Sequence, residues 1–138
     1  MRPTTLGSTG LEVSALGLGT VELGMPYGLG KASPPDDDVC IRLLHHAVDR
    51  GISFIDTAAA YGRSEELIGR AFAGRACPVI ATKVALRDAD GTVWTGDRIP
   101  SQVRASIDRS RRLLGVDCLD LVQIHNADES VTSDPVLT

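Results

Sequence analysis

Four short apolar runs, Ala15 to Gly19, Ile52 to Ile55, Pro78 to Thr82 and Leu119 to Ile124, are separated by stretches of helical periodicity. That alternation constrains the fold more than any other feature of the chain. Strand-length runs interleaved with helix-length ones predict βαβ units, hence parallel strands joined by right-handed crossovers. Three of the runs lead directly into a polar residue: Asp56, Lys83 and His125. Successive parallel strands carry such residues to one edge of one sheet, and the C-terminal edge of an α/β sheet is where sites are built. Tyr61 follows Asp56 by five residues, on the loop that Gly62 closes.

The intervening segments support the alternation. Arg2 to Val13 reads as a hairpin turning through Gly7, Ser8, Thr9 and Gly10. After the first strand, Val21 to Ser33 reads as a loop containing Gly24, Pro26, Gly28 and Gly30. Pro34 and Pro35 predict a helix start, with Asp36, Asp37 and Asp38 complementing its positive end. Ile41, Leu44 and Val48 form that helix's apolar stripe, and Gly51 ends it. Ser64 reads as the next N-cap, Glu65 and Glu66 as first-turn acids, and Leu67, Ile68, Ala71 and Phe72 as the buried face. Pro100 and Ser101 predict the opening of a third helix, which closes at Gly115. Arg104, Arg109, Arg111 and Arg112 lie on its outer faces among acids, a solvated surface more than a basic patch. Val84 to Ile99 is the longest irregular stretch and holds the only tryptophan, Trp94. Loops of that length are usually functional. Trp94 is accordingly assigned to the wall of a substrate pocket, although a tryptophan there also suits a loop pin. Beyond Asn126 the sequence reads as a polar tail.

Composition narrows the functional classes. At 138 residues, 43% hydrophobic and 23% charged, the chain suits a globular domain with an aliphatic core, aromatics being only 4%. A net charge of −4 with scattered Lys and Arg supplies no stripe for a phosphate backbone, so no nucleic-acid partner is expected. Cys40, Cys77 and Cys118 are odd in number and lack any C-x-x-C pair, which argues against a disulfide framework and a zinc site and favours a reducing cytoplasmic compartment. No apolar run reaches the roughly 18 residues of a membrane span. His45 and His46 diverge by about 100° on a helix and cannot share a metal, so the pair reads as a solvated helix face. The Gly17-x-Gly19 pair does not continue into a dinucleotide-binding glycine motif before a helix.

The motifs in order resemble the aldo-keto reductase family: Leu6-Gly7-Ser8-Thr9-Gly10 with Leu11-Glu12-Val13-Ser14, then Leu16-Gly17-Leu18-Gly19-Thr20, Asp56-Thr57-Ala58 with Tyr61-Gly62, and Asp120 to His125. That resemblance implies a TIM (β/α)₈ barrel, here incomplete: an N-terminal hairpin and the first four strands with three helices. Such a barrel takes about 250 residues, so residues 1–138 correspond to the N-terminal half of a single barrel domain, a fragment or truncated product. The family's Asp, Tyr, Lys and His tetrad matches Asp56, Tyr61, Lys83 and His125. By the same resemblance Gly19, Thr20, Val21 and Asp56 face the nicotinamide end of an NADP cofactor, preferred over NAD, and no metal is required. The residues that grip the cofactor's adenosine end lie in the family's second half.

The tetrad's chemistry follows from its residue types. A phenol has a reference pKa of about 10 and protonates an alkoxide at neutral pH only with help from a nearby cation. In the implied arrangement Lys83 provides the cation, Asp56 pairs it, Tyr61 is the general acid, and His125 orients the substrate carbonyl. A nicotinamide supplies the hydride, which no side chain can. The expected activity is reversible hydride transfer between NAD(P)H and a small aldehyde, ketone or sugar. A non-catalytic nicotinamide-binding regulatory subunit is the alternative, an inactive fragment another. An open half barrel would also expose sheet edges through which copies could associate.

Overall fold

The computed structural model describes residues 2–29, 33–132 and 134–137. Strands β1 (Pro3–Thr5) and β2 (Glu12–Ser14) pair antiparallel, with Thr4 opposite Val13. Gly7 and Gly10, at φ 54° and 75°, turn the chain between them. Reciprocal bonds join this hairpin to the main sheet: the Ser14 amide donates to Ser53 Oγ at 2.8 Å, and the Ser53 amide to Ser14 Oγ at 2.9 Å.

The main sheet contains β3 (Leu18–Gly19), β4 (Phe54–Asp56), β5 (Val79–Ala85) and β6 (Leu121–His125), adjacent in that order and parallel throughout. Between the strands run α1 (Val21–Gly24), α2 (Asp37–Asp49), α3 (Ser64–Phe72) and α4 (Arg98–Leu114), followed after β6 by α5 (Glu129–Thr132) and a 3₁₀ turn, Pro135–Leu137. This is the α/β barrel pattern, four of whose strands are present.

Period-two alternation gives the sheet two different faces. Leu18, Ile55 and Ile80 pack with Leu44, Leu67, Ile68, Ala71, Phe72 and Leu114 from the helices. A second cluster joins Val84 and Leu86 to Trp94, Ile99 and Val131. The opposite face carries Gly17, Gly19, Phe54, Asp56, Lys83 and His125, the interior side of a barrel. There the strands approach closely: a Cβ on Gly17 would lie 2.7 Å from Phe54 Cδ1.

Several boundaries differ from the sequence reading. Pro34 and Pro35 stay outside α2, which begins at Asp37 because the Asp36 carbonyl accepts the Val39 and Cys40 amides. Val21–Gly24 is a helical turn where a loop was expected, with the Met25 amide on the Val21 carbonyl at 3.2 Å, while Gly30 lies outside the described residues. Ser64 is no N-cap. Fully buried in the first turn of α3, it donates its hydroxyl to the Thr20 carbonyl at 2.5 Å. His45 is half-buried, its ring Nε2 2.6 Å from the Ala71 carbonyl of α3, whereas His46 points to solvent. Strand β5 continues past Thr82 to Ala85 because Ala81 to Ala85 pair with the whole of β6. Lys83 is therefore within the strand. Helix α4 starts at Arg98, leaving Pro100 in a first turn where its missing amide costs nothing. The segment beyond Asn126 is also no polar tail, since Val131 is 1% exposed within the second cluster.

Candidate active site

Asp56 closes β4, and its register partner on β5 is Ala81, so Lys83 projects from the same face two residues further along. The chain's geometry makes these two meet. Lys83 Nζ donates to both Asp56 carboxylate oxygens at 2.7 Å and to the Thr57 carbonyl at 2.9 Å. Three acceptors match the three protons of an ammonium, so the group is fixed in direction. Its side chain is 14% exposed, against 37% for the Asp56 side chain, leaving the carboxylate the wetter partner.

Tyr61 stands on the turn between β4 and α3, its amide on the Ala58 carbonyl at 2.9 Å. The Lys83 ammonium lies 4.9 Å from the centre of the phenol ring. His125, at the end of β6 opposite Ala85, meets the same ring edge-on, with centroids 5.6 Å apart and planes at 85°. Burial, and secondarily the positive charge of Lys83, push the His125 imidazole below its ordinary pKa, against a smaller opposing pull from Asp56. The ring is thus neutral at neutral pH, with one N–H to donate and one nitrogen to accept.

The turn that carries Tyr61 is held by a close backbone approach. Gly62, at φ 56°, faces Gly24, and the Arg63 amide donates to the Gly24 carbonyl at 3.3 Å. A Cβ on Gly24 would fall 1.9 Å from the Tyr61 carbonyl oxygen, and one on Gly62 2.3 Å from the Gly24 carbonyl oxygen. Only glycine fits at either position.

Of the residues expected on the cofactor side, Gly19 is the register partner of Asp56, and among the described residues no atom beyond its chain neighbours lies within 4 Å of where its Cβ would be. That leaves an open floor beside the Lys83 and Asp56 pair, suited to a flat ring. Thr20 is fully buried, its amide and hydroxyl both donating to the Asp56 carbonyl, at 3.1 and 3.0 Å, so it fixes the strand end from below. Val21 opens α1 and is half-buried. Trp94 is not brought together with the tetrad. Its Nε1 donates to Asp88 at 3.0 Å, Arg98 lies 5.5 Å over its ring, and it packs in the cluster on the helix side of β5. The tryptophan pins its loop.

Three features near the site escaped the sequence reading: the Thr57 carbonyl bond to Lys83, the Gly24 and Gly62 contact, and the burial of Glu65. Read from the sequence as a first-turn acid complementing the helix dipole, Glu65 is 2% exposed. Its spacing held a signal, because Glu65, Ile68 and Phe72 stand at i, i+3 and i+7 on one stripe of α3.

A parallel α/β sheet covered by helices on one face, with Asp56, Lys83 and His125 on the other and Tyr61 on the turn beside them, defines half of a (β/α)₈ barrel. The aldo/keto reductase family profile matches residues 15–138, and the chain belongs to that family. Among solved structures it is similar to a Pseudomonas aeruginosa protein assigned to the aldo-keto reductases, at 38% identity and a TM-score of 0.78, over 94% of this chain and 49% of that one. An aldo-keto reductase of Bacillus halodurans in its holo form is 30% identical with a TM-score of 0.75, over 99% of this chain and 43% of that one. An aldo/keto reductase of Brucella melitensis, 24% identical with a TM-score of 0.62 over 94% of this chain and 44% of that one, shares the fold. The chain thus spans about half the length of the structures it matches.

Proposed function

We propose that this chain is the tetrad-bearing half of a nicotinamide-dependent oxidoreductase that interconverts a small aldehyde, ketone or sugar carbonyl and its alcohol. The observation that carries the reading is the Lys83 ammonium, held by Asp56 and the Thr57 carbonyl and set 4.9 Å from the Tyr61 ring. Tyr61 donates the proton to the carbonyl oxygen, and the fixed positive charge beside it stabilises the charge that the departing proton leaves behind. Asp56 keeps the ammonium in place. Neutral His125, edge-on to the phenol, hydrogen-bonds the same carbonyl and sets its orientation. Trp94 acts on the substrate only through the loop it pins.

The open floor at Gly19, with Val21 at its rim and Asp56 beside it, fits the nicotinamide end of a cofactor, and Thr20 holds that floor to β4. Bound there, the nicotinamide would supply the hydride that no side chain can. NADP is preferred over NAD, and three free cysteines suit a reducing cytoplasm. The test is loss of reduced-nicotinamide absorbance by the protein carrying this chain, over a panel of aldehydes, ketones and sugars. Carbonyl-dependent oxidation of the cofactor is expected. Tight cofactor binding without turnover on any carbonyl would favour a regulatory nicotinamide-binding subunit instead.

A further inference from the structure

Beneath the tetrad, on the helix-facing side of the sheet, lies a polar cluster that the mechanism above does not use. Thr57 and Thr82 occupy neighbouring register positions on β4's end and β5, as the Asp56 and Ala81 pairing and the Thr57 amide bond to the Ala81 carbonyl at 2.8 Å require. Both are buried, at 0% and 1% exposure, and Glu65, buried in the first turn of α3, reaches Thr82. The Thr82 hydroxyl donates to Glu65 Oε1 at 2.6 Å. Glu65 Oε2 and Thr57 Oγ1 are buried without a hydrogen-bond partner among the described residues.

A buried carboxyl with one oxygen satisfied and the other orphaned costs stability relative to an apolar side chain of the same size. Packing therefore does not account for Glu65. Its location does suggest a role. Thr82 is the residue before Lys83, and Thr57 is the residue whose carbonyl takes the third ammonium proton. Glu65 is bonded to the first of these segments, and the Thr57 amide ties the second to it through the Ala81 carbonyl.

We propose that Glu65 is a positioning residue for the Lys83 and Tyr61 proton-donating pair, acting through Thr82 and the strand end at Thr57. The proposal rests on the functional reading above. Without the carboxyl, β5 shifts relative to the end of β4, the ammonium loses its three-point fixation, and the charge beside the Tyr61 ring is no longer held at one distance.

The experiment compares Glu65→Leu, Thr82→Val and Glu65→Gln in the protein carrying this chain. Glu65→Leu and Thr82→Val are each expected to lower kcat about tenfold with KM for cofactor and carbonyl unchanged, as expected for sub-ångström misplacement of a catalytic group. Glu65→Gln keeps an acceptor for the Thr82 hydroxyl and should restore most of kcat. A second readout needs no turnover: the Lys83 ammonium resonance in lysine-selective NMR, assigned with Lys83→Met, should be sharp in the wild type and exchange-broadened in Glu65→Leu and Thr82→Val. If Glu65→Leu does not fold, the isosteric Thr82→Val carries both measurements. Folded variants with unchanged kcat and an unchanged Lys83 resonance would overturn the proposal. Failure of the functional reading would look different, because Tyr61→Phe would then keep its turnover whatever Glu65 does.

Discussion

His125 illustrates how a single side chain links the site to pH. Burial and the neighbouring Lys83 hold its imidazole below the usual histidine pKa. The unfolded chain therefore binds more protons than the folded one in the interval beneath about 6.5, and stability falls as the pH drops through it. Above that interval the imidazole is neutral in both states and the effect is absent. Urea titrations across this range should show a decline for the wild type that is flatter in His125→Leu. Carbonyl reduction should likewise persist to a lower pH than an ordinary histidine would allow. Gly24 gives a second test at this scale, since a methyl group 1.9 Å from the Tyr61 carbonyl must displace the turn. Gly24→Ala is expected to cut turnover by about a hundredfold, although it adds no polar group and touches no tetrad side chain. Both glycines stood in the sequence as loop punctuation. Their contact joins loops about 40 residues apart, and no local pattern encodes such a pairing. The clustering of Asp56, Tyr61, Lys83 and His125 was legible because each lies in or just after a readable strand, while the Thr57 contact escaped because a backbone carbonyl makes it.

Among the elements, the helices pack by close approach and by a small ionic latch. A Cβ on Gly69 of α3 would lie 2.1 Å from the Leu113 carbonyl oxygen of α4. Gly69→Ala should force the two helices apart and cost about 2 kcal/mol in a chemical denaturation experiment. Asp37 in the first turn of α2 meets Arg63 at 2.7 Å and Arg70 at 2.5 Å. Those two guanidiniums hold its carboxyl below the usual range. A depressed folded-state pKa contributes stability above the unfolded value near 3.8 that is lost as the pH falls through the folded one. Acid unfolding of Asp37→Asn should lack that component. Helix periodicity revealed the stripes of α2 and α3, because burying an apolar face leaves a 3.6-residue imprint. Helix starts were less legible. A carbonyl at Asp36 capped α2 where the prolines were expected to open it, and Ser64 gave its hydroxyl to the Thr20 carbonyl, a partner far away in sequence.

At the scale of the whole molecule, the described sheet has two unpaired edges, β3 and β6, and on β6 both Val122 and Ile124 are 39% exposed. An exposed strand with apolar side chains is a template for pairing. Residues 1–138 expressed alone should therefore self-associate in size-exclusion chromatography and bind reduced nicotinamide weakly, and a clean monomer with micromolar affinity would contradict this. The half-barrel order was legible from the alternation of strand and helix runs, because parallel strands need crossovers of that length. The central claim is that Tyr61 is the proton donor beside a fixed Lys83 ammonium. Its most direct test is carbonyl reduction by the Tyr61→Phe variant of the protein carrying this chain, with cofactor binding followed by fluorescence in parallel. Turnover lower by about a thousandfold with cofactor affinity nearly unchanged is the expected result, and turnover close to that of the wild type would contradict the account.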